Sequence, residues 1–183
     1  MLREAESQVK KTNQTLDSLN KDKYLIVETG TTRYTNNIEG DGASTFMFDL
    51  YCNTEKNGTV YTVDIDPQAC ENVRNHTSPK TIVCLNDSIK FLSTFPNPED
   101  IDLLYLDEFA HIPSNIIEPY YTAVYPIVSA VNNSKIIITS TPKGMNLFYK
   151  LLSDSERDEL DPLKTNFKSK RIYWYEVEGR FVT

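Results

Sequence analysis

A three-layer α/β sandwich built on a mainly parallel sheet is the fold this chain predicts, and three observations predict it. Short apolar runs recur along the sequence, at Tyr24–Val27, Thr59–Val63, Thr81–Leu85, Ile101–Leu106 and Lys135–Thr139, with helical patterns between them. Each run ends in polar residues able to hold a ligand: Glu28-Thr29-Gly30, Asp64-Ile65-Asp66, Asn86-Asp87-Ser88, Asp107-Glu108 and Ser140-Thr141. In the fourth run, Leu103-Leu104-Tyr105-Leu106 passes straight into two acids with no polar alternation, as a strand buried on both faces does. Successive strand–helix units of this length imply parallel pairing with right-handed crossovers. In such sheets the carboxyl ends of the strands are where ligands bind.

The elements follow in order. Residues 2–19 carry Leu2, Ala5, Val9, Thr12, Leu16 and Leu19 at the spacing of an amphipathic helix. Lys21-Asp22-Lys23 breaks that pattern before the first strand. A polar loop runs from Thr31 to Asp41, and Gly42-Ala43-Ser44-Thr45 opens a helix through Phe46, Phe48, Leu50 and Tyr51, with Asp41 or Ser44 as its cap. Asn57-Gly58 turns the chain into the second strand, and Pro67 suits the first turn of the helix after it. A helix around Ile89 to Phe95 joins the third strand to the fourth. Ile112-Pro113-Ser114-Asn115 then starts a long helix with Ile116, Ile117, Tyr120, Val124, Ile127 and Val128 facing inward. Pro119 and Pro126 fall within it and predict kinks or two shorter helices. A helix from Asn146 to Leu152, an acidic loop from Asp154 to Asp161 and an alternating edge strand from Arg171 to Val177 complete the chain. No linker divides the 183 residues, so the expectation is one Rossmann-like α/β domain.

Composition narrows the function classes. The chain is 39% hydrophobic and 25% charged, as globular domains are, and its net charge of −7 argues against a broad nucleic-acid footprint. Lys164, Lys168, Lys170 and Arg171 form one local basic patch, read most simply as a solvated surface. Cys52, Cys70 and Cys84 are odd in number and match neither a C-x-x-C pair nor a zinc spacing, which points to a reducing cytoplasm. No apolar run approaches the length of a membrane span and no signal peptide is evident, so no membrane partner is expected. His76 and His111 lack ligand-spaced partners and read as surface residues, and no nucleophile is assigned.

The chemistry begins at two strand ends. A glycine after the first strand lets backbone approach a ligand closely, and an acid after the second grips ribose hydroxyls with paired hydrogen bonds. Gly30 and Asp64 stand in those places, 34 positions apart, with the polar insertion from Thr31 to Asp41 between them. Each has a plainer reading, Gly30 as a turn residue and Asp64 as a helix cap. Taken in register, Glu28-Thr29-Gly30-Thr31, Gly40-Asp41-Gly42, Val63-Asp64-Ile65-Asp66-Pro67 and Asn86-Asp87-Ser88 resemble the class I S-adenosylmethionine-dependent methyltransferases, over roughly residues 20–108. The resemblance implies S-adenosylmethionine as cofactor, bound by Glu28, Gly30, Gly42, Asp64, Asp87 and Ser88. It also implies that Asp107 faces an unknown methyl acceptor or a metal. Thr32 stands where the family's fingerprint has a further glycine, and the Asn/Asp-Pro-Pro-aromatic tetrapeptide of enzymes acting on exocyclic base amines has no counterpart.

The same fourth strand also reads as a Walker B strand, in which Asp107 would hold Mg2+ through water and Glu108 would polarise an attacking water. Phe109-Ala110-His111-Ile112-Pro113-Ser114-Asn115, Tyr125-Pro126, the stretch from Ile136 to Asn146 and the stretch from Trp174 to Arg180 resemble the ATPase domain of tailed-phage terminase large subunits, over about residues 103–181. That resemblance implies Asp107 and Glu108 as catalytic residues and Ser140-Thr141-Pro142 as the segment coupling hydrolysis to DNA movement. Nucleic acid would then be a partner of this half alone, in a host cytoplasm if the gene is a phage's. The phosphate loop such an ATPase needs, G-x-x-x-x-G-K-[ST], is missing, because none of the six glycines precedes a lysine. The nuclease domain that follows the ATPase in terminases has no counterpart either. The expectation is a chain joined at the shared strand, by recombination or assembly, with residues 1–108 methyltransferase-like and 109–183 terminase-like. S-adenosylmethionine binding with methyl transfer is the leading function and ATP hydrolysis is not expected. A packaging-motor fragment is the alternative, and an inactive recombinant or interaction module comes after it.

Overall fold

The computed structural model describes residues 14–33, 43–129 and 134–171. Strands and α-helices alternate: β1 (Lys23–Thr29), α1 (Ser44–Leu50), β2 (Asn57–Asp64), α2 (Pro67–His76), β3 (Thr81–Leu85), α3 (Ser88–Ser93), β4 (Leu103–Leu106), α4 (Ser114–Ser129), β5 (Lys135–Ile138) and α5 (Leu147–Ser155). The strands form one five-stranded sheet in the order β3-β2-β1-β4-β5, and every neighbouring pair is parallel. From β1 the chain steps outward through β2 to β3, then crosses back to the other side of β1 for β4 and β5. The order therefore reverses between β1 and β4, where a doubly wound sheet opens a crevice at its carboxyl edge. The predicted central strand is central: β4 sets Leu103 to Leu106 against Ile26 to Thr29 on one side and against Lys135 to Ile138 on the other.

Two apolar clusters, one per face of the sheet, make the three layers. On one face, Tyr24 and Ile26 of β1, Val60 of β2 and Leu103 of β4 pack with Phe48, Tyr51 and Cys52 and with Leu16 and Leu19. On the other, Val27, Leu104 and Leu106 pack with Leu92 and Phe95 and with the stripe Ile117, Tyr120, Val124 and Val128 of α4. Successive strand residues alternate between the clusters because strand side chains point to opposite faces. Each fully buried aliphatic side chain contributes about 1.5–3 kcal/mol, which is why β1 and β4, enclosed on both faces, read as unbroken apolar runs.

Particular residues fix the start of the sheet. Asp102 is buried, accepts the Leu25 N–H at 2.8 Å through Oδ2 and pairs with Lys21 through Oδ1, so the beginning of β4 is tied to β1. At Gly58 a Cβ would lie 2.6 Å from Cys52 Sγ and 3.0 Å from the Tyr24 carbonyl oxygen, so the close approach of β2 to its neighbours excludes any side chain there.

Two local expectations need revision. Of the two alternatives expected at Pro119 and Pro126, kinks or two shorter helices, the second does not hold, because α4 runs through both prolines as one helix. Each proline removes one N–H donor, yet the buried stripe runs past Pro119 at helical spacing and holds the helix against the sheet. The N-cap of α1 is Ala43, which makes no side-chain cap, and Ser44 is already inside the helix. Of the predicted opening helix, residues 14–17 are helical within the described region. The predicted edge strand from Arg171 to Val177 lies outside the described residues beyond Arg171, as do Asp41 and Gly42.

Candidate functional site

The carboxyl ends of β1, β2 and β4 are drawn together by backbone bonds. Gly30 leaves β1 at φ +83° and donates its N–H to the Val63 carbonyl at 3.0 Å, while Asp107 donates to the Thr29 carbonyl at 3.2 Å. A side chain at Gly30 would be strained by that φ, and its Cβ would sit 3.5 Å from Asp107 Cβ. Around this point lies a cavity of about 330 Å3. It is lined by Gly30, Thr31 and Arg33 after β1, by Asp64 at the end of β2, and by Asp107, Glu108 and His111 after β4.

Asp64 organises the two loops it lies between. Its Oδ2 accepts the Thr31 N–H at 3.0 Å and its Oδ1 the Asp66 N–H at 2.9 Å. An ionised carboxylate has about four acceptor positions, and two of those on Asp64 are filled by described residues. The helix-cap role falls instead on Asp66, which accepts the Gln68 N–H at 2.9 Å. Asp87 does the same for α3, accepting the Lys90 N–H at 2.9 Å. Asp87 and Ser88 stand at the same sheet edge, beyond β2, and neither lines the cavity.

Asp107 is half-buried. Its Oδ1 accepts the Thr139 hydroxyl at 2.6 Å and the Glu108 N–H at 3.0 Å. Burial holds its carboxyl above the usual range. The bonds from Thr139 and Glu108 oppose that rise, the Glu108 charge adds to it, and Arg33 opposes it. Glu108 occupies the left-handed region at φ 48°, a strained conformation for a residue with a side chain. Its Oε2 lies 3.3 Å from His111 Nε2 and 3.4 Å from both the Ser140 and Thr141 hydroxyls, and His111 Nε2 lies 2.8 Å from Thr141 Oγ1. The turn after β4 and the segment after β5 thus meet at the cavity rim.

Glu28 is fully buried, with Thr62 of β2 and Tyr105 of β4 beside it in register. Oε2 accepts the Thr45 hydroxyl at 2.6 Å and the Thr62 hydroxyl at 2.8 Å, whereas Oε1 has no hydrogen-bond partner among the described residues. Burial pushes this carboxyl up to about 7; the hydroxyls of Ser44, Thr45 and Thr62 pull the other way, and the Asp107 charge adds to the rise. The Thr45 hydroxyl also receives the Thr32 N–H at 3.2 Å and lies 3.3 Å from the hydroxyls of Thr31 and Thr32. One side chain on α1 therefore connects the buried acid to the loop that lines the cavity.

Of the predicted site residues, Gly30, Asp64, Asp107 and Glu108 come together in one lining, Glu28 lies beneath it, Asp87 and Ser88 stand apart, and Gly42 is outside the described residues. The sequence reading missed Arg33, Thr45, Thr139 and His111. His111 carried a weak signal, three residues after Glu108, which a single turn of helix from Phe109 to His111 brings back toward that acid. The others are adjacent only through the sheet. Among the described residues no group of three His, Cys, Asp or Glu side chains converges to hold a metal. A second hollow of about 420 Å3 lies against Tyr121, Tyr125 and Phe167, between α4 and α5, and contains none of the predicted site residues. Among the described residues no helix is long and apolar enough to cross a membrane. Compared with models of known protein families, the chain matches none.

Proposed function

We propose that this chain binds S-adenosylmethionine and transfers its methyl group to an acceptor. The observation that carries the reading is convergence: a glycine at φ +83°, an acid at the end of β2 and Asp107 line one cavity where the strand order reverses. A volume of about 330 Å3 falls in the range of small-ligand pockets. Gly30 and Thr31 give close backbone approach, and the carboxylate of Asp64 suits a pair of ribose hydroxyls. Asp107 and Glu108 would face the acceptor. The cofactor, when bound, supplies an electrophilic methyl group on a sulfonium sulfur, and the acidic lining favours its positive charge.

Calorimetry with S-adenosylhomocysteine tests this. Binding should be measurable and weakened roughly ten- to hundredfold in Asp64→Ala, since hydrogen bonds to a charged group contribute about 1.5–3 kcal/mol. No binding to folded protein at millimolar ligand would remove the reading.

One observation favours a second reading, a fragment of a phage DNA-packaging ATPase. Glu108 and the Ser140-Thr141 segment, both singled out by that resemblance, approach each other at 3.4 Å. A phage gene, a nucleic-acid partner and the host cytoplasm belong to that reading. Without a phosphate-loop lysine and its N–H cradle, Mg2+-ATP hydrolysis should stay at background. A rate above background that vanished in Glu108→Gln would move this reading to first place.

A further inference from the structure

The charge of the cavity and the acid beneath it have a joint consequence. Asp64, Asp107 and Glu108 bring three carboxyl groups to the lining, against the guanidinium of Arg33. Glu28 adds a fourth carboxyl from behind, enclosed by the sheet and α1, with Oε1 lacking a hydrogen-bond partner among the described residues. The bonds from Thr45 and Thr62 both go to Oε2, and the Ser44 hydroxyl is the third that acts on this carboxyl. A carboxyl in this position is stable as the neutral acid and poorly compensated as the anion, until a positive charge comes near through low-dielectric protein.

We propose that the cavity selects a positively charged ligand over its neutral counterpart, and that Glu28 releases a proton when the charged ligand binds. The inference rests on the nucleoside-cofactor reading, and that reading supplies a matched pair of ligands. S-adenosylmethionine carries a sulfonium where S-adenosylhomocysteine has a neutral thioether, so the two differ by one positive charge and one methyl group. A cation in the cavity stabilises the Glu28 carboxylate and so favours loss of its proton. Among the described residues the groups that face this region from neighbouring elements are Asp64 from β2, Tyr105 and Asp107 from β4, Arg33 from the loop after β1, and Glu108 and His111 from the turn after β4. The acids act with the cation, Arg33 acts against it, and burial keeps the Tyr105 phenol protonated throughout. Burial places the Glu28 transition at about 7, inside the range where a pH series can read it.

The experiment is calorimetric titration of the wild-type chain with each ligand at pH 6, 7 and 8, in two buffers of different ionisation heat. S-adenosylmethionine affinity should rise about tenfold from pH 6 to 8, the change expected when one carboxyl near 7 is deprotonated by binding. About one proton should be released per S-adenosylmethionine bound at pH 6, while S-adenosylhomocysteine affinity stays nearly level. In Glu28→Gln the pH dependence for S-adenosylmethionine should vanish. The same pH dependence for both ligands overturns the inference, as does a dependence that survives Glu28→Gln and disappears in His111→Gln. If Glu28→Gln does not fold, the wild-type proton count decides, and a count near zero overturns the inference. Equal and pH-independent binding of both ligands leaves the nucleoside reading standing and removes this inference alone. Failure of both ligands to bind folded protein removes the two together.

Discussion

Replacing Glu28 with glutamine should make the protein more stable, by an amount that depends on pH. The wild-type carboxyl titrates at about 7 in the fold against 4.5 for an ordinary glutamate, because burial disfavours its anion. A group whose folded pKa is raised lends its full stability below the unfolded value and loses it as pH climbs to the folded value. The window is therefore about pH 4.5 to 7, and the loss across it is roughly 3 kcal/mol at about 1.4 kcal/mol per unit. Glutamine keeps an acceptor for the Thr45 and Thr62 hydroxyls and has no anion to bury. Urea denaturation of both proteins at pH 5 and pH 8 isolates the effect, since every other acid is common to the two. The stability difference, variant minus wild type, should grow by roughly 2–3 kcal/mol between those pH values. A difference that stays constant within about 0.5 kcal/mol would refute the burial of the Glu28 carboxyl away from water.

Two further variants test the frame that positions the cavity. Leu104→Asp puts an unpaired carboxylate at a position with no exposure in the central strand; the cost of several kcal/mol against a total of ~5–15 should abolish a cooperative thermal transition. Gly58→Ala sets a methyl group 2.6 Å from Cys52 Sγ and 3.0 Å from the Tyr24 carbonyl oxygen, and should lower stability by about 1–3 kcal/mol in denaturant titration.

The sheet was legible because its central strands are buried on both faces, so β1 and β4 appear as unbroken apolar runs with polar residues at one end. Their parallel pairing followed from the helices between them, and the order β3-β2-β1-β4-β5 put the predicted acids on one edge. The continuity of α4 was not legible, since a local rule about proline competes there with packing of Ile117, Tyr120 and Val124 against the sheet. Glu28 shows the same limit at the site. Its sequence neighbours do not distinguish a strand-end acid that meets ligand from one sealed beneath the cavity. That difference is made by Thr62 and Tyr105 through strand register and by Thr45 from a helix 17 positions on. Likewise only the fold brings Thr139 into a bond with the Asp107 carboxyl and sets the Arg33 charge within its field. The helix cap, the plainer role for Asp64, falls instead on its neighbour Asp66, and Asp87 caps α3, while Asp64 holds the Thr31 and Asp66 N–H groups.

A nucleoside cofactor is proposed to sit where the strand order reverses between β1 and β4. Titrating S-adenosylhomocysteine into nitrogen-15-labelled protein tests it residue by residue. Amide shifts should move at Gly30, Thr31, Asp64, Asp66 and Asp107, with little change around Tyr121, Tyr125 and Phe167 in the hollow between α4 and α5. Shifts confined to that second hollow, or no shifts at millimolar ligand in a well-folded sample, would contradict it.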